Sequence, residues 1–434
     1  MSTTTVVSTI NQRIQVGVES TPGTAVAATR ELLALSIAFG AKAETLKFRP
    51  QGRKFNTIVV PNKEWSEGKL AGVATFNELV YPLACVLNYA APEQQGATAA
   101  YKWMFAPSAS ERDTVKTLTV EQGSVERAQR VVRGTIPEFG IAFSREGLEL
   151  SGSMFGSAME DDVQMSTNEK QTITVSGGTP TSGSFRLTFS GQQTATIAYD
   201  ATAATVQAAL EALSNIAVGD VICTGGPLPG TGVVVEFKGT YRQTDVALMT
   251  ATDTFDLGDI AIAETVKGAA PTALDLVPIL PETIDVYVAD THADLDTAEA
   301  LTGVYKAEFA IGNRFSPVFL LRSGYGRGFG KVTETAPDAT LAIEQEADEE
   351  GLAWLETLQA GAKKHIRIEA VGDVIEDAYT YLFRLDMCVS VDEPGEFGEA
   401  EGLKTSPFNL VAVSDPDWDN KALEITLVNE LTSL

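Results

Sequence analysis

The chain of 434 residues is short of histidine, cysteine and basic side chains. His292 and His365 are its two histidines. A Ser-His-Asp or Cys-His nucleophile would have to use one of them, and a multi-histidine metal site lacks the ligands. The three cysteines, Cys85, Cys223 and Cys388, are far apart and form no CxxC pair. An odd, scattered set is not a disulfide framework and points to a reducing compartment. Lys and Arg number 32 against 58 Asp and Glu, for a net charge of −26. That balance argues against a protein that wraps nucleic acid, and it repels a polyanion at close range. Residues 1–10 have neither the basic start nor the apolar run of a secretory signal. No window approaches about 18 continuous apolar residues, so no membrane span is expected.

What is present suits folded domains. Hydrophobic residues make up 44% and charged residues 21%, enough apolar side chain for real cores, and the length suggests about two to four domains. An internal repeat organises the chain. Ile14-x-Val16-x-Val18-x-x-Thr21 recurs 270 positions later as Ile284-x-Val286-x-Val288-x-x-Thr291, and Phe39 maps onto Phe309. Thr135-x-Pro137 and Ala142-x-Ser144 map onto Thr405-x-Pro407 and Ala412-x-Ser414 at the same offset. Self-similarity of this kind sets the architecture. It divides the chain into a first module at 1–166, a second at 272–434, and an inserted segment at 167–271.

Each module reads as antiparallel β with one helix packed on it, a sandwich or open barrel. In the first, strands are expected at 33–41, 67–76, 116–121, 129–133, 137–144 and 147–153. A helix follows Asn77-Glu78, and a long loop covers 42–63. In the second, strands are expected at 304–311, 340–346, 365–371, 379–389, 409–414 and 423–428, with a long loop at 312–337. Asp348 caps a helix running through Gln359, with Leu352, Leu355 and Leu358 inward and Gly361 as its stop. The insert alternates short strands with Gly-Pro turns, and Thr202–Leu213 is its helix. This is a small α+β domain, expected at the surface of whatever the modules build.

No catalytic pattern emerges. Gly324-Tyr-Gly-Arg-Gly-Phe-Gly330 fails the dinucleotide spacing and lacks Gly-Lys-Ser/Thr, so it reads as a loop. Asp290-x-His292-x-Asp294-x-Asp296 begins like a calcium loop, but Leu295 and Leu301 occupy the positions that need glycine and glutamate. It reads as a solvated acidic turn. His365 reads as a strand-edge residue. The acidic run Glu334, Asp338, Glu344, Glu346, Asp348, Glu349 and Glu350 reads as solvated charge rather than a glycosidase pair. On the strand 340–346, Leu341 and Ile343 face a core, while Glu344 and Glu346 share the wet face. No cofactor or metal site is assigned, and the chain is expected not to be an enzyme.

The basic residues concentrate in the two long loops. Residues 40–63 hold Lys42, Lys47, Arg49, Arg53, Lys54 and Lys63, and residues 312–331 hold Arg314, Arg322, Arg327 and Lys331. Docking of these loops onto acidic surfaces of another subunit would use that charge, since complementary potentials set register. Phe48, Phe55, Phe315, Phe319, Tyr325 and Phe329 in the same loops are expected as aromatic anchors.

Several stretches resemble the major tail tube proteins of long-tailed, siphovirus-like bacteriophages. They are Val16-Gly-Val-Glu-Ser-Thr-Pro-Gly-Thr-Ala25, Gly68-Lys-Leu-Ala-Gly-Val-Ala-Thr-Phe76 and Ala422-Leu-Glu-Ile-Thr-Leu-Val-Asn-Glu-Leu431. In the insert, Ala208-Ala-Leu-Glu-Ala-Leu-Ser-Asn-Ile216 and Thr224-Gly-Gly-Pro-Leu-Pro-Gly230 look like a domain often found in phage virion proteins. The resemblance implies a self-assembling virion protein made in the bacterial cytoplasm. It implies stacked rings, trimeric with pseudo-sixfold symmetry in duplicated members, joined by long loops or arms. The partners it implies are further copies of the chain, the tape measure and other tail proteins. DNA would pass an acidic lumen, for which Glu344 and Glu346 are candidates, without specific binding. The alternatives are another tail or capsid decoration protein, or a secreted carbohydrate-binding or hydrolysing β-protein.

Overall fold

A computed structural model describes residues 12–124, 127–163, 168–321, 323–400 and 402–434. The chain is mainly β, with antiparallel sheets and three short α-helices among the described residues. None of these helices is long and apolar enough to cross a membrane. The chain divides into two compact units. Met165–Thr272 with Ala27–Thr29 form one, and both copies of the repeat together form the other.

In the larger unit the first copy comprises β1 (Arg13–Val18), β2 (Leu35–Phe48), β3 (Ile58–Val73), α1 (Val80–Val86), β4 (Leu118–Gly123), β5 (Ala128–Ser144), β6 (Gly147–Gly156) and β7 (Glu160–Val163). β1, β4, β5 and β7 pair in that order, and β2, β3, β6 and β5 form a second sheet. The long β5 belongs to both. It changes sheet where the pairing slips between Thr135 and Glu138, just after Arg133 at φ 60°. A strand that switches sheets at an irregularity makes the corner of a sandwich.

The small unit contains α2 (Ala203–Glu211), capped by the Thr202 side chain, which accepts from Thr205 N–H at 3.2 Å. Its four-stranded sheet runs Val221–Gly225, Val233–Phe237, Lys170–Ser176, Asp259–Val266. A second sheet is built around Ser184–Phe189. Phe185, Leu187, Phe189, Val206, Leu210 and Phe237 form a core of its own.

The second copy repeats the main elements of the first in the same order. It comprises β8 (Ile284–Ala289), β9 (Val304–Gly312), β10 (Asp338–Glu346), α3 (Glu349–Ala360), β11 (Lys364–Glu376), β12 (Tyr379–Pro394), β13 (Leu403–Ala412) and β14 (Leu423–Asn429). β8, β11, β12 and β14 pair like β1, β4, β5 and β7. β9, β10, β13 and β12 pair like β2, β3, β6 and β5. The match of Ile14–Val18 to Ile284–Val288 is therefore structural, as is that of Phe39 to Phe309. The match of 135–144 to 405–414 is not. The former lies on β5 and the latter mostly on β13, whose counterpart is β6. Shared strand composition produced that coincidence.

Three local expectations need correction. Asn77 and Glu78 do not cap α1. The buried Glu78 carboxylate instead accepts from the backbone N–H groups of Leu33, Ala34 and Leu35, which turn the chain into β2. On α3, Asp348 does cap by accepting from Gly351 N–H at 2.9 Å, and Gly361 ends the helix at φ 61°. Leu358 packs against the core as expected, but the buried anchor is Trp354 against Phe408, Leu355 is 40% exposed, and the Leu352 side chain lies outside the described residues. The segments 42–63 and 312–337 are not loops. The first is the far part of the β2–β3 ribbon, and the second contains a hairpin of Phe315–Val318 with Lys331–Glu334.

Candidate assembly interface

The β5–β9 joint positions everything else. β5 pairs with β6 on one side and with β9 on the other, from Lys306 opposite Ser144 to Ile311 opposite Phe139. The two inner sheets thereby fuse into one, ordered β2-β3-β6-β5-β9-β10-β13-β12. Its buried face presents Ile37, Leu70, Leu150, Ile141, Phe309, Leu341 and Leu410. Its other face presents Ser36, Ala71, Ser151, Gly140, Ala310 and Thr340 in one cross-strand row. Glu149, Ala142, Glu308, Ala342 and Asn409 form the next row. Glu344 lies on the same face as Glu308, partly exposed, and accepts from Thr405 Oγ1 at 2.8 Å. Glu346 is likewise partly exposed at the end of β10. Lys306 pairs with Glu308, and that hydrogen bond holds its ammonium above its ordinary pKa. Small side chains, with glutamates outnumbering Lys69 and Lys306, make this face wet and acidic.

Both ends of the fused sheet are open. β2 pairs only with β3, and residues 390–394 of β12 pair only with β13 among the described residues. A groove of ≈ 690 Å³ runs beside β2, lined by Ile14, Leu35, Ile37, Phe39 and Gln122 among others. In it Gln122 imitates a neighbouring strand: its Oε1 accepts from Phe39 N–H at 2.9 Å and its Nε2 donates to Phe39 O at 3.2 Å. The corresponding place in the second copy lies beside Ile284 and Val304–Ala307, and there Phe143, Ser144 and Arg145 at the end of β5 are seated. A strand edge left unpaired is a template for pairing with another chain. Charge and motif scanning misses Gln122 and both edges, because an edge is a property of topology.

The β2–β3 ribbon extends past the core, pairing from Leu35–Gly72 to Phe48–Ile58. Beyond Phe39 every residue of β2 is exposed on both faces. Near its tip Phe48, Ile58 and Val59 are more than half exposed and Phe55 is 80% exposed. An isolated two-stranded ribbon with this much apolar surface is marginal in water. Lys47, Arg49, Arg53 and Lys54 surround those side chains, and all four are exposed. Lys42 and Lys63 are instead paired within the ribbon, with Glu67 at 3.4 Å and Glu44 at 2.7 Å.

The second basic segment behaves differently. Arg314 is 1% exposed and is not a docking cation. Its guanidinium pairs with Asp113, lies 3.2 Å from Glu334 and donates to Val86 O at 2.9 Å. A charge so deep must be paired, which also removes Glu334 from the solvated run. Phe329 is buried with Phe155 and Phe315, so it anchors the chain to itself. Arg327 binds Glu64 of β3 at 3.0 Å, tying the hairpin to the base of the ribbon. Tyr325 ends a 3-10 turn, Ser323–Tyr325, and Arg322 lies outside the described residues. The two basic segments are thus equivalent in the repeat but not in exposure.

No protein-family model and no curated protein matches the chain. Among solved structures, it is similar to a chain from Mycobacterium phage Patience, at 18% identity and a TM-score of 0.19. The alignment covers 50% of this chain and 78% of that one. A superposition this loose carries no argument about function, which has to come from the chain's own geometry.

Proposed function

We propose that the chain is a structural subunit that closes into rings and stacks into a tube, the tail tube of a long-tailed phage. The observation that carries this reading is the β5–β9 joint and its two open counterparts. β12 corresponds to β5, and β2 corresponds to β9. The end of β12 in one copy is therefore the natural occupant of the groove beside β2 in the next, repeating between chains the joint already made within one. Such a contact is heterologous, and it closes into a ring when the rotation allows.

Three chains would place six copies and twenty-four inner strands around an axis. At about 4.8 Å per strand and a tilt of about 35–45°, the backbone diameter would be about 45–50 Å. That leaves a lumen wider than a DNA duplex after side chains are added. The acidic face described above would line it and repel passing DNA at short range. The ribbon, apolar and basic at its tip, would dock on the next ring. Acidic and apolar groups meet on the β11–β12 turn, where Val371, Asp373, Val374 and Asp377 are exposed, and these suit it as a partner. Insertion of the small unit as a separate compact body fits a place on the tube exterior.

Mass measurement and negative-stain microscopy of purified protein test the proposal. Rings of three chains, or tubes of uniform width, are expected. A chain that stays monomeric at high concentration across a range of salt would sink it.

A further inference from the structure

The chain's two histidines are far apart in sequence, yet the fold packs them together. His292 stacks on Trp418 with ring centroids 4.3 Å apart, and the His365 ring meets the same indole edge-on at 5.9 Å. His365 is not a strand-edge residue. It is 2% exposed on β11, between β8 and β12. Directly opposite it on β12 is Cys388, also buried. Cross-strand partners in one register project side by side. Asp415, in the turn after β13, completes the group. A ring nitrogen of His365, Cys388 Sγ and an Asp415 carboxylate oxygen all lie within 4.8 Å of one another.

The hydrogen bonding at His365 is unusual. Its Nδ1 faces Asp290 O at 3.3 Å. A carbonyl can only accept, so Nδ1 carries the proton and Nε2 is the nitrogen left for the site. Nε2 lies 3.1 Å from Asp415 Oδ2, but the two are not aligned for a hydrogen bond, and Nε2 is a buried nitrogen without a hydrogen-bond partner. A buried imidazole nitrogen with no hydrogen-bond partner, beside a carboxylate and a thiol, is placed as a ligand would be. The backbone carbonyl on Nδ1 is the kind of contact that orients a metal-bound imidazole.

The first copy shows what this position looks like when hydrogen bonds alone fill it. Val18 opposes Leu118 as Val288 opposes Ile366, so Thr117 occupies the place of His365. There the buried Glu19 carboxylate accepts from Thr117 Oγ1 at 2.7 Å and Thr119 Oγ1 at 3.0 Å. It also accepts from the N–H groups of Gly23 and Arg133, each at 2.7 Å. That cluster is saturated, whereas its counterpart in the second copy is not.

We propose that His365, Cys388 and Asp415 bind a divalent transition metal, with zinc favoured by the donor set. Imidazole nitrogen, thiolate sulfur and carboxylate oxygen are the three zinc donors. Bond lengths of about 2.0–2.3 Å put tetrahedral ligands some 3.3–3.7 Å apart, within the span observed. The thiol loses its proton to solvent when the Cys388–metal bond forms. Three protein donors leave a fourth position for water. His292 is not among the clustered donors, and its Nε2 is engaged by Asp386 at 2.9 Å. The donors sit on two paired strands and a closed turn, in which Asp415 N–H donates to Lys421 O at 3.0 Å. The metal would clamp β11, β12 and that turn in the second copy.

The test uses the untagged full chain, stripped with a chelator and titrated with cobalt(II). One equivalent should bind, with tetrahedral visible bands and a thiolate-to-cobalt charge-transfer band, and zinc(II) should displace it. Cys388→Ser should abolish the charge-transfer band, and Asp415→Asn should weaken binding. Zinc should raise the unfolding temperature of the wild type but not of Cys388→Ser. A band that persists in Cys388→Ser would assign the metal to Cys85 or Cys223 and overturn the proposal. Should the variants fail to fold, X-ray absorption at the zinc edge of the wild type decides. One sulfur among nitrogen and oxygen donors is expected. A sulfur-free shell, or no zinc retained at one equivalent, refutes the site.

Discussion

Phe309 of β9 lies directly opposite Ile141 of β5, and both side chains are buried. This pair crosses the boundary between the two copies of the repeat. Its counterpart Phe39 meets no strand there, only the side-chain amide of Gln122. The same position in the repeat is thus satisfied once by a strand and once by a stand-in. The difference between Phe309 and Phe39 is the difference between a finished joint and an open one.

Phe309→Ala should destabilise the larger unit by about 3–5 kcal/mol, the usual cost of a large cavity in a packed core. Because one hydrophobic core contains side chains of both copies, unfolding should remain a single transition for that unit. Denaturant titration followed by tryptophan fluorescence reads it directly, since Trp65, Trp103, Trp354 and Trp418 all lie outside the insert. Two separated transitions, one per copy, would show that the joint does not couple them.

Ring closure through β12 predicts a defect that leaves the subunit intact. Asp392 and Glu393 are exposed on the end of that strand that pairs with β13 alone, next to Pro394. Changing Asp392, which the register skips on β13, to proline removes a backbone donor at an edge, a device that blunts strand addition. Circular dichroism should be unchanged and ring mass should fall to that of a single chain. Rings of normal mass in this variant would place closure elsewhere.

The fold was legible where a local rule had a local cause. Asp348 and Gly361 bracket α3 because capping depends on residues three or four positions apart. The alternation of Leu341 and Ile343 with Glu344 marked a strand with one dry face. The β2–β3 ribbon was missed beyond Ala41 because both its faces are wet, which erases the period-2 signal. Arg314 was misread for a different reason. Its partner Asp113 is 201 positions away, and no window of sequence contains both. His365 looked like a strand edge because the pairing of β11 with β8 is set by topology.

The small unit should carry its own acid sensitivity. Asp220 is 6% exposed and accepts from Thr240 N–H at 2.9 Å and Ala217 N–H at 3.0 Å. Burial pushes its carboxyl up, but the hydrogen bonds from Thr240 and Ala217 outweigh this and hold it below its ordinary value of 3.8. A depressed folded-state pKa contributes stability above the unfolded value, and that stability is lost as pH falls through the folded value. Amides around 203–240 should therefore lose hydrogen-exchange protection below about pH 4. Asp220→Asn should lower their protection at pH 7 and flatten the acid limb. An unchanged limb in the variant would mean other carboxylates govern it.

The two basic segments should respond in opposite ways to charge reversal. Arg49, Arg53 and Lys54 are exposed at the ribbon tip, where single substitutions usually change stability by no more than about 0.5 kcal/mol. Reversing all three to glutamate should leave a normally folded subunit that closes rings but fails to stack them. Replacing Phe48 and Phe55 by serine should produce the same arrest, since aromatic side chains so exposed in the free chain are suited to anchor a contact. Arg314→Glu should do something else. It would set a third carboxylate against Asp113 and Glu334, and breaking a buried pair costs about 3–5 kcal/mol. That variant should show a lowered unfolding midpoint before any question of assembly arises. Electron microscopy counts tubes and thermal denaturation ranks the subunits. If the ribbon variants built tubes of ordinary length, neither charge nor aromatic anchoring at the tip would drive stacking. Contact between rings would then fall to the sheet rims, where the β11–β12 turn exposes Val371 and Val374.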